Sequence, residues 1–283
     1  MGRKRTFPNR AARLPLDTTA NADRNETISL SELQSIFRDM VSANRQGYSS
    51  TDTSDPDRNG VFFGGMLPGE ALDALENGWK NAPAISELSI PALPARVDET
   101  VFYNDVCGDV LDIGAYCAGL PECLIQTETR QTVGTKILRF AVEIGGSWAI
   151  PSHEMRHRGT AMVALINALE LSGYSVELTI IRSFAEDYGD GTKHVYLIPI
   201  KQAGEVLNMP LVQFAIGHPS FFRRCLFGLS EHKMGKSMHE SKAKTTNYKP
   251  EGFTHFSHTD GLSNSEAESL KWAESMVAML SAE

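Results

Sequence analysis

An apolar run, Ile137-Leu-Arg-Phe-Ala-Val-Glu143, ends in Ile144-Gly-Gly-Ser147 and passes at once into a helical pattern over residues 153–172. A strand that delivers Glu143 and Ser147 to a helix entrance offers oxygen donors, so the turn could hold a hard cation or a partner's charged group. A second constellation, His153-Glu-Met-Arg-His157, has the His-Glu-x-x-His spacing that sets two imidazoles one turn apart for zinc, with Glu154 as general base. Met162 follows His153 by about 2.5 turns, which faces the histidines away from the apolar stripe of Met162, Leu165, Ile166 and Leu169. Arg156 also places a positive charge between them. The motif therefore reads as a chance match, with a zinc hydrolase as the enzymatic alternative. Asp55-Pro-Asp-Arg-Asn-Gly60 copies the first half of a calcium loop, but Met66 stands where the closing bidentate Glu belongs, which leaves a polar turn. Finally, His218, Arg223 and Arg224 group with Lys233 and Lys236 as a patch for an anion or a partner, although Phe221, Phe222, Leu226 and Leu229 tie the same helix to a core.

The elements that position these residues follow from pattern and punctuation. Ile137–Ile144, apolar at nearly every position, reads as a strand buried on both faces of a parallel sheet. The 153–172 helix starts after Pro151 and Ser152 and ends at Gly173, and strands at 176–184 and 194–200 form a hairpin. Leu211–Gly217 is a helix or a strand, a helix runs from His218 to Leu229, and another closes the chain around 270–280. Upstream, Ser29-Leu-Ser-Glu32 is a capping-box pattern opening an amphipathic helix over about 30–43, and Pro68–Asn77 is a short helix with Gly78 as its C-cap. Another short helix falls within 109–119.

Strand, helix and hairpin in this order, with the Glu143 turn at the first strand end, resemble the opening of von Willebrand factor A domains over about residues 136–201. In that family an Asp-x-Ser-x-Ser motif at this turn forms a metal-ion-dependent adhesion site, with a Thr and an Asp added from later loops. Here the motif is eroded to Glu143-Ile-Gly-Gly-Ser147, since Gly145 removes one hydroxyl, while Thr259-Asp-Gly261 resembles the third loop. The resemblance thus implies a degenerate Mg site with Glu143, Ser147 and Asp260 as its remaining ligands. Three further segments, Asp112–Cys123, Arg158-Gly-Thr-Ala161 and His218–Arg224, resemble an uncharacterised family of bacteriophage proteins, which implies no activity.

Size and charge bound the rest. A chain of 283 residues supports one main core with appendages. Its net charge of -8 argues against wholesale nucleic-acid binding, because neutralising phosphates requires a basic face. The Arg3–Arg13 cluster and the Lys233–Lys249 segment keep that class as an alternative. There is no bilayer-length apolar run and no signal-peptide core behind Met1-Gly-Arg-Lys-Arg5, so a cytoplasmic protein is expected. Cys107, Cys117, Cys123 and Cys225 form no Cys-x-x-Cys pair and read as buried free thiols. The expected organisation is a disordered tail over 1–58, its first 28 residues polar and one helix within it; a helical and extended cap over 59–130; and a mostly parallel, Rossmann-type α/β core, von Willebrand A-like, over 131–283 with a mobile 230–264 segment. The expected function is non-enzymatic protein binding without a needed cofactor, through Glu143, Ser147, His218, Arg223 and Arg224, to a partner that is basic at the contact.

Overall fold

Leu138, Phe140, Val142 and Ile144 alternate along the chain with Ile137, Arg139, Ala141 and Glu143, and in the next strand Val176, Leu178 and Ile180 alternate with Glu177 and Thr179. A period of two puts one set on each face of a sheet. The computed structural model, which describes residues 24–44, 49–84, 96–133, 136–145, 150–185, 193–235 and 248–281, sorts them in that way. β1 (Arg24–Thr27), β5 (Ile137–Glu143), β6 (Ser175–Ala185), β7 (Lys193–Lys201) and β8 (Thr254–Phe256) form one sheet in the order β1-β7-β6-β5-β8. Only the β6–β7 hairpin is antiparallel.

The even-numbered positions of β5, β6 and β7 join one large core with α1 (Leu30–Ala43), α2 (Pro68–Asn77), α4 (Ser152–Leu171), α5 (Met209–Gly217), α6 (Phe227–Met234) and α7 (Glu266–Ser281). A π-helical turn, Phe221–Leu226, runs directly into α6. Ala141, Ile181 and Val195 on the opposite face form a separate small cluster with Leu197, Tyr248 and Phe253, to which no described helical residue belongs. A doubly wound sheet carries helices on both faces. Here the described cover of the second face comes from Tyr248 and Phe253, and the face buries Glu143 and Ser183 while leaving the Arg139–Glu177 ion pair exposed. The two-faced burial expected of residues 137–144 holds from Phe140 to Ile144, all of which are buried, whereas Ile137 and Arg139 at the start of the strand are exposed.

Two close approaches set the helices. α4 and α5 cross at Gly159 and Gly217, where a Cβ on Gly159 would sit 2.2 Å from the Gly217 Cα. Gly78, at φ +84°, ends α2 against Pro210, whose Cβ would lie 2.8 Å from an added methyl.

The expected domain limits shift accordingly. Residues 1–23 lie outside the described residues, but Arg24–Thr27 are an edge strand and not tail, and just beyond it the Ile28 N–H donates to the Leu197 carbonyl at 2.8 Å. The helix expected near 30–43 is α1, whose Ser29 cap accepts the Glu32 N–H at 3.1 Å, and its Leu33, Ile36, Phe37 and Met40 belong to the main core. Residues 59–84 pack into that core through α2, and not into a cap. Residues 96–133 form a second sheet, order β2-β4-β3, from β2 (Arg96–Asp105), β3 (Val110–Leu111) and β4 (Leu124–Val133), with α3 (Ile113–Cys117) between β3 and β4. Cys107 and Cys117 are exposed on it and Cys123 is half-buried, so only Cys225 meets the expectation of a buried thiol, and burial pushes that thiol upward. Of the segment 230–264 expected to be mobile, Ser230 and Glu231 are buried, and β8 pairs with β5; residues 236–247 lie outside the described set.

Candidate functional site

Ligand sites of open α/β sheets lie beyond the carboxyl ends of strands where the winding order reverses. β5 is that strand here, because the chain leaves it through α4 towards β6 and later returns to its other side as β8. Its last residue, Glu143, is wholly buried. One carboxylate oxygen accepts from the Ser183 hydroxyl at 2.6 Å; the other has no hydrogen-bond partner and faces His258 Nδ1 at 3.8 Å. Burial would raise the carboxyl's pKa, but the approach of His258, the Ser183 hydrogen bond and the positive potential of His258 and His255 hold it below its ordinary value.

The cation at this strand end is a side chain. Arg158 of α4 donates from Nε to the Asp260 carbonyl at 2.8 Å, and from Nη2 to the Ser257 carbonyl at 2.8 Å and the Glu143 carbonyl at 3.3 Å. One guanidinium thereby ties the end of β5 to the loop after β8. Its burial lowers its pKa to about 10 against the pull of Asp260 and Glu143, so it remains charged at neutral pH. Asp260 spends Oδ2 on the Ser257 N–H at 2.7 Å. The two loops expected to share a metal do meet, therefore, but through backbone carbonyls gathered by Arg158. Ser147 lies outside the described residues. A hard divalent ion needs several converging oxygens, and among the described residues no group of three or more His, Cys, Asp or Glu is placed to hold one.

The other expected site residues fall elsewhere. Arg223 and Arg224 do not form a surface patch: both are buried. Arg223 donates to the carbonyls of Phe62 at 2.8 Å and Ile150 at 2.9 Å, and lies over the Phe62 ring. Arg224 donates to the carbonyls of Met66 at 2.9 Å and Ser50 at 2.7 Å and to the Asn59 side chain at 2.6 Å, stacked over Phe63. These two arginines staple the 50–66 segment, which includes the would-be calcium loop, to the helical layer. Their planar forks satisfy carbonyls that the segment's irregular backbone leaves unpaired. His153 is exposed and His157 is half-buried, as their distance from the apolar stripe implies, and His157 Nδ1 lies 3.1 Å from the Ser263 carbonyl.

His218 lines a separate cleft of about 560 Å³ with Trp79, Arg156, Lys80, Glu70 and Asp73 among its walls. Its ring packs between Trp79 and Phe214, with centroids 4.7 and 5.7 Å away. Of these residues, sequence reasoning singled out His218 alone; Arg156 entered only as an obstacle to zinc. Ser183 was missed too, although its odd-numbered place beside Thr179 on the polar face of β6 could have revealed it.

A family model described as Domain of unknown function (DUF7192) matches residues 18–269. The chain belongs to that family. No curated protein and no solved structure matches it. The matched span takes in both sheets, the Arg158 junction and the His218 cleft. No described helix is long and apolar enough to cross a membrane.

Proposed function

We propose that this DUF7192 chain is a non-enzymatic protein-binding protein, von Willebrand A-like in its main sheet, that docks a basic partner through the 96–133 sheet and needs no metal to do so. The observation that carries this reading is the apolar surface of the small sheet. Phe102, Val110, Ile113 and Tyr116 are each more than half exposed, as are Val106 and Leu120. Single exposed apolar residues are ordinary, but several within one short unit mark an interaction surface. Phe102 pairs across the sheet with Thr127, and Val110 with Ile125, which places both apolar residues on one face. Acidic residues greatly outnumber the basic Arg96 and Arg130 over residues 96–133, so a partner with a basic rim around an apolar centre is complementary.

The adhesion-type reading is supported by the strand order around β5 and by β8 leading into Thr259-Asp260. It departs from the family at the cation, whose place at the strand ends Arg158 takes. Glu143, being internal, then acts by shaping the loops and not by touching the partner. Affinity capture from the native host, run in parallel with wild-type protein and an Ile113→Asp, Tyr116→Asp double variant, tests the proposal. A partner should be retained by the wild type, lost by the variant, weakened by added salt and indifferent to EDTA. Equal retention by the variant would refute the docking surface, and release by EDTA reversed by Mg would show a working cation site at Glu143 and Asp260.

A further inference from the structure

The His218 cleft carries a second, independent reading. Its histidine is 4% exposed. Nδ1 lies 3.1 Å from the backbone nitrogen of Ser220. A backbone N–H can only donate, so Nδ1 is the acceptor and the neutral ring carries its proton on Nε2. Burial, with the nearby Arg156 charge, lowers the pKa of His218 to about 4, so the ring stays neutral at pH 7. No described residue accepts from Nε2. A donor without a protein acceptor on the wall of a cleft is a place for a ligand to supply one.

The other walls agree in sign. Arg156 is exposed and has no hydrogen-bond or ion-pair partner among the described residues. The first turn of α2 borders the cleft at Gly69 and Glu70, and its cap position is Leu67, which has no side-chain oxygen to satisfy the turn's N–H groups. Trp79 supplies a flat apolar wall. Two carboxylates limit how much negative charge can enter. Asp73 is held by Lys80 at 2.6 Å and Asn77 at 2.8 Å, and Glu70 accepts the Leu67 N–H at 2.7 Å. The charged side chains on the walls therefore cancel, two against two, which suits a singly charged oxyanion better than a dianion.

We infer that this cleft binds a small organic carboxylate, its oxygens received by the Nε2–H of His218 and the guanidinium of Arg156, and its apolar part laid against Trp79. The carboxylate could belong to a free acid or to the C-terminus of a peptide; the chemistry recognised is the same.

Titrating the full chain with benzoate, with an acetyl dipeptide bearing a free C-terminus, and with inorganic phosphate, while following the side-chain nitrogen resonances of the histidines, tests the assignment. Benzoate or the dipeptide should saturate and move the Nε2 resonance of His218, and whichever binds more tightly identifies the source. Arg156→Gln, an exposed change that the fold tolerates, should weaken that binding about tenfold or more, as loss of a charge-assisted hydrogen bond does. Gln at position 218, introduced as His218→Gln, keeps a donor and should retain part of the affinity, whereas His218→Phe should not. If neither carboxylate moves the His218 resonance, if Arg156→Gln leaves their affinity unchanged, or if phosphate binds more tightly than both, the inference is wrong.

Discussion

Gly159→Ala tests how the molecule brings its functional residues together. In the middle of α4, replacing Gly by Ala ordinarily stabilises a helix by about 1 kcal/mol. Here the new methyl would stand 2.2 Å from the Cα of Gly217 and 2.8 Å from its nitrogen. Ordinary carbon contacts begin near 3.5 Å, so α5 would have to retreat by more than an ångström. The obstruction is backbone and cannot rotate aside. Overpacking of this kind costs about 1–3 kcal/mol or more, and with two helices displaced the upper end applies. The net expectation is a loss of about 2 kcal/mol after the propensity gain. For a chain of this size that lowers Tm by roughly 4–8 °C. Gly217→Ala, whose Cβ would come 2.9 Å from the Gly159 Cα, should cost less. Because both changes push the same helices apart, the double variant should lose less than the two single losses combined. Thermal and urea unfolding of the three variants supply the measurements. A Gly159→Ala protein as stable as wild type, or strictly additive losses, would refute the close crossing and with it the placement of Arg156 beside His218.

Arg224→Met should destabilise by about 3–5 kcal/mol, because it strands the buried carbonyls of Ser50 and Met66; urea unfolding that finds less than about 1 kcal/mol would show that water serves them equally well. The depressed pKa of His218 has a definite sign: its contribution to stability is complete above the ordinary value of 6.5 and is lost as pH falls from there to about 4. His218→Gln should flatten the acid limb over that window, which urea midpoints at successive pH values will reveal. His153→Ala should change stability by less than about 0.5 kcal/mol and His157→Ala by about 1, through its contact with the Ser263 carbonyl, by thermal unfolding. Stoichiometric zinc in the purified protein, absent from both variants, would revive the hydrolase reading.

Local signals were legible where one principle decided them. Ser29 and Glu32 announced the start of α1, Gly78 ended α2, and the β6–β7 hairpin followed from its alternation. Longer-range placement was not, for identifiable reasons. Arg223 and Arg224 carry the side chains of a solvated face, and only the irregular 50–66 backbone, with its unpaired carbonyls, explains why they turn inward. Thr254-His-Phe256 is too short and polar to announce a strand, and it becomes one because β5 has an open edge beside it. The candidate site was half visible: Glu143 and Asp260 could be named, but the cation joining their loops sits on α4, in a position no spacing rule connects to either. Arg158-Gly-Thr-Ala161 stood out as a motif, and the structure gives it two physical purposes, the grip of Arg158 on both strand ends and the passage of α5 across Gly159.

The strand order also dictates when the sheet can be finished. β5 finds its neighbour β6 through α4, but its other edge is closed by β8, which lies more than 100 residues further along the chain, and the far edge of β7 is covered by β1 from the opposite end. Closing such long loops is slow relative to forming a local hairpin. During synthesis those backbone N–H and C=O groups of the Phe140–Val142 stretch that face β8 therefore wait uncovered, beside apolar side chains, until residues 254–256 have been made. An open central edge is a template for pairing between molecules. Nascent chains, and any chain cut between α6 and β8, are accordingly the species in which β5 of one copy can recruit a strand from another, so the integrity of three residues near the C-terminus guards this family member against self-association.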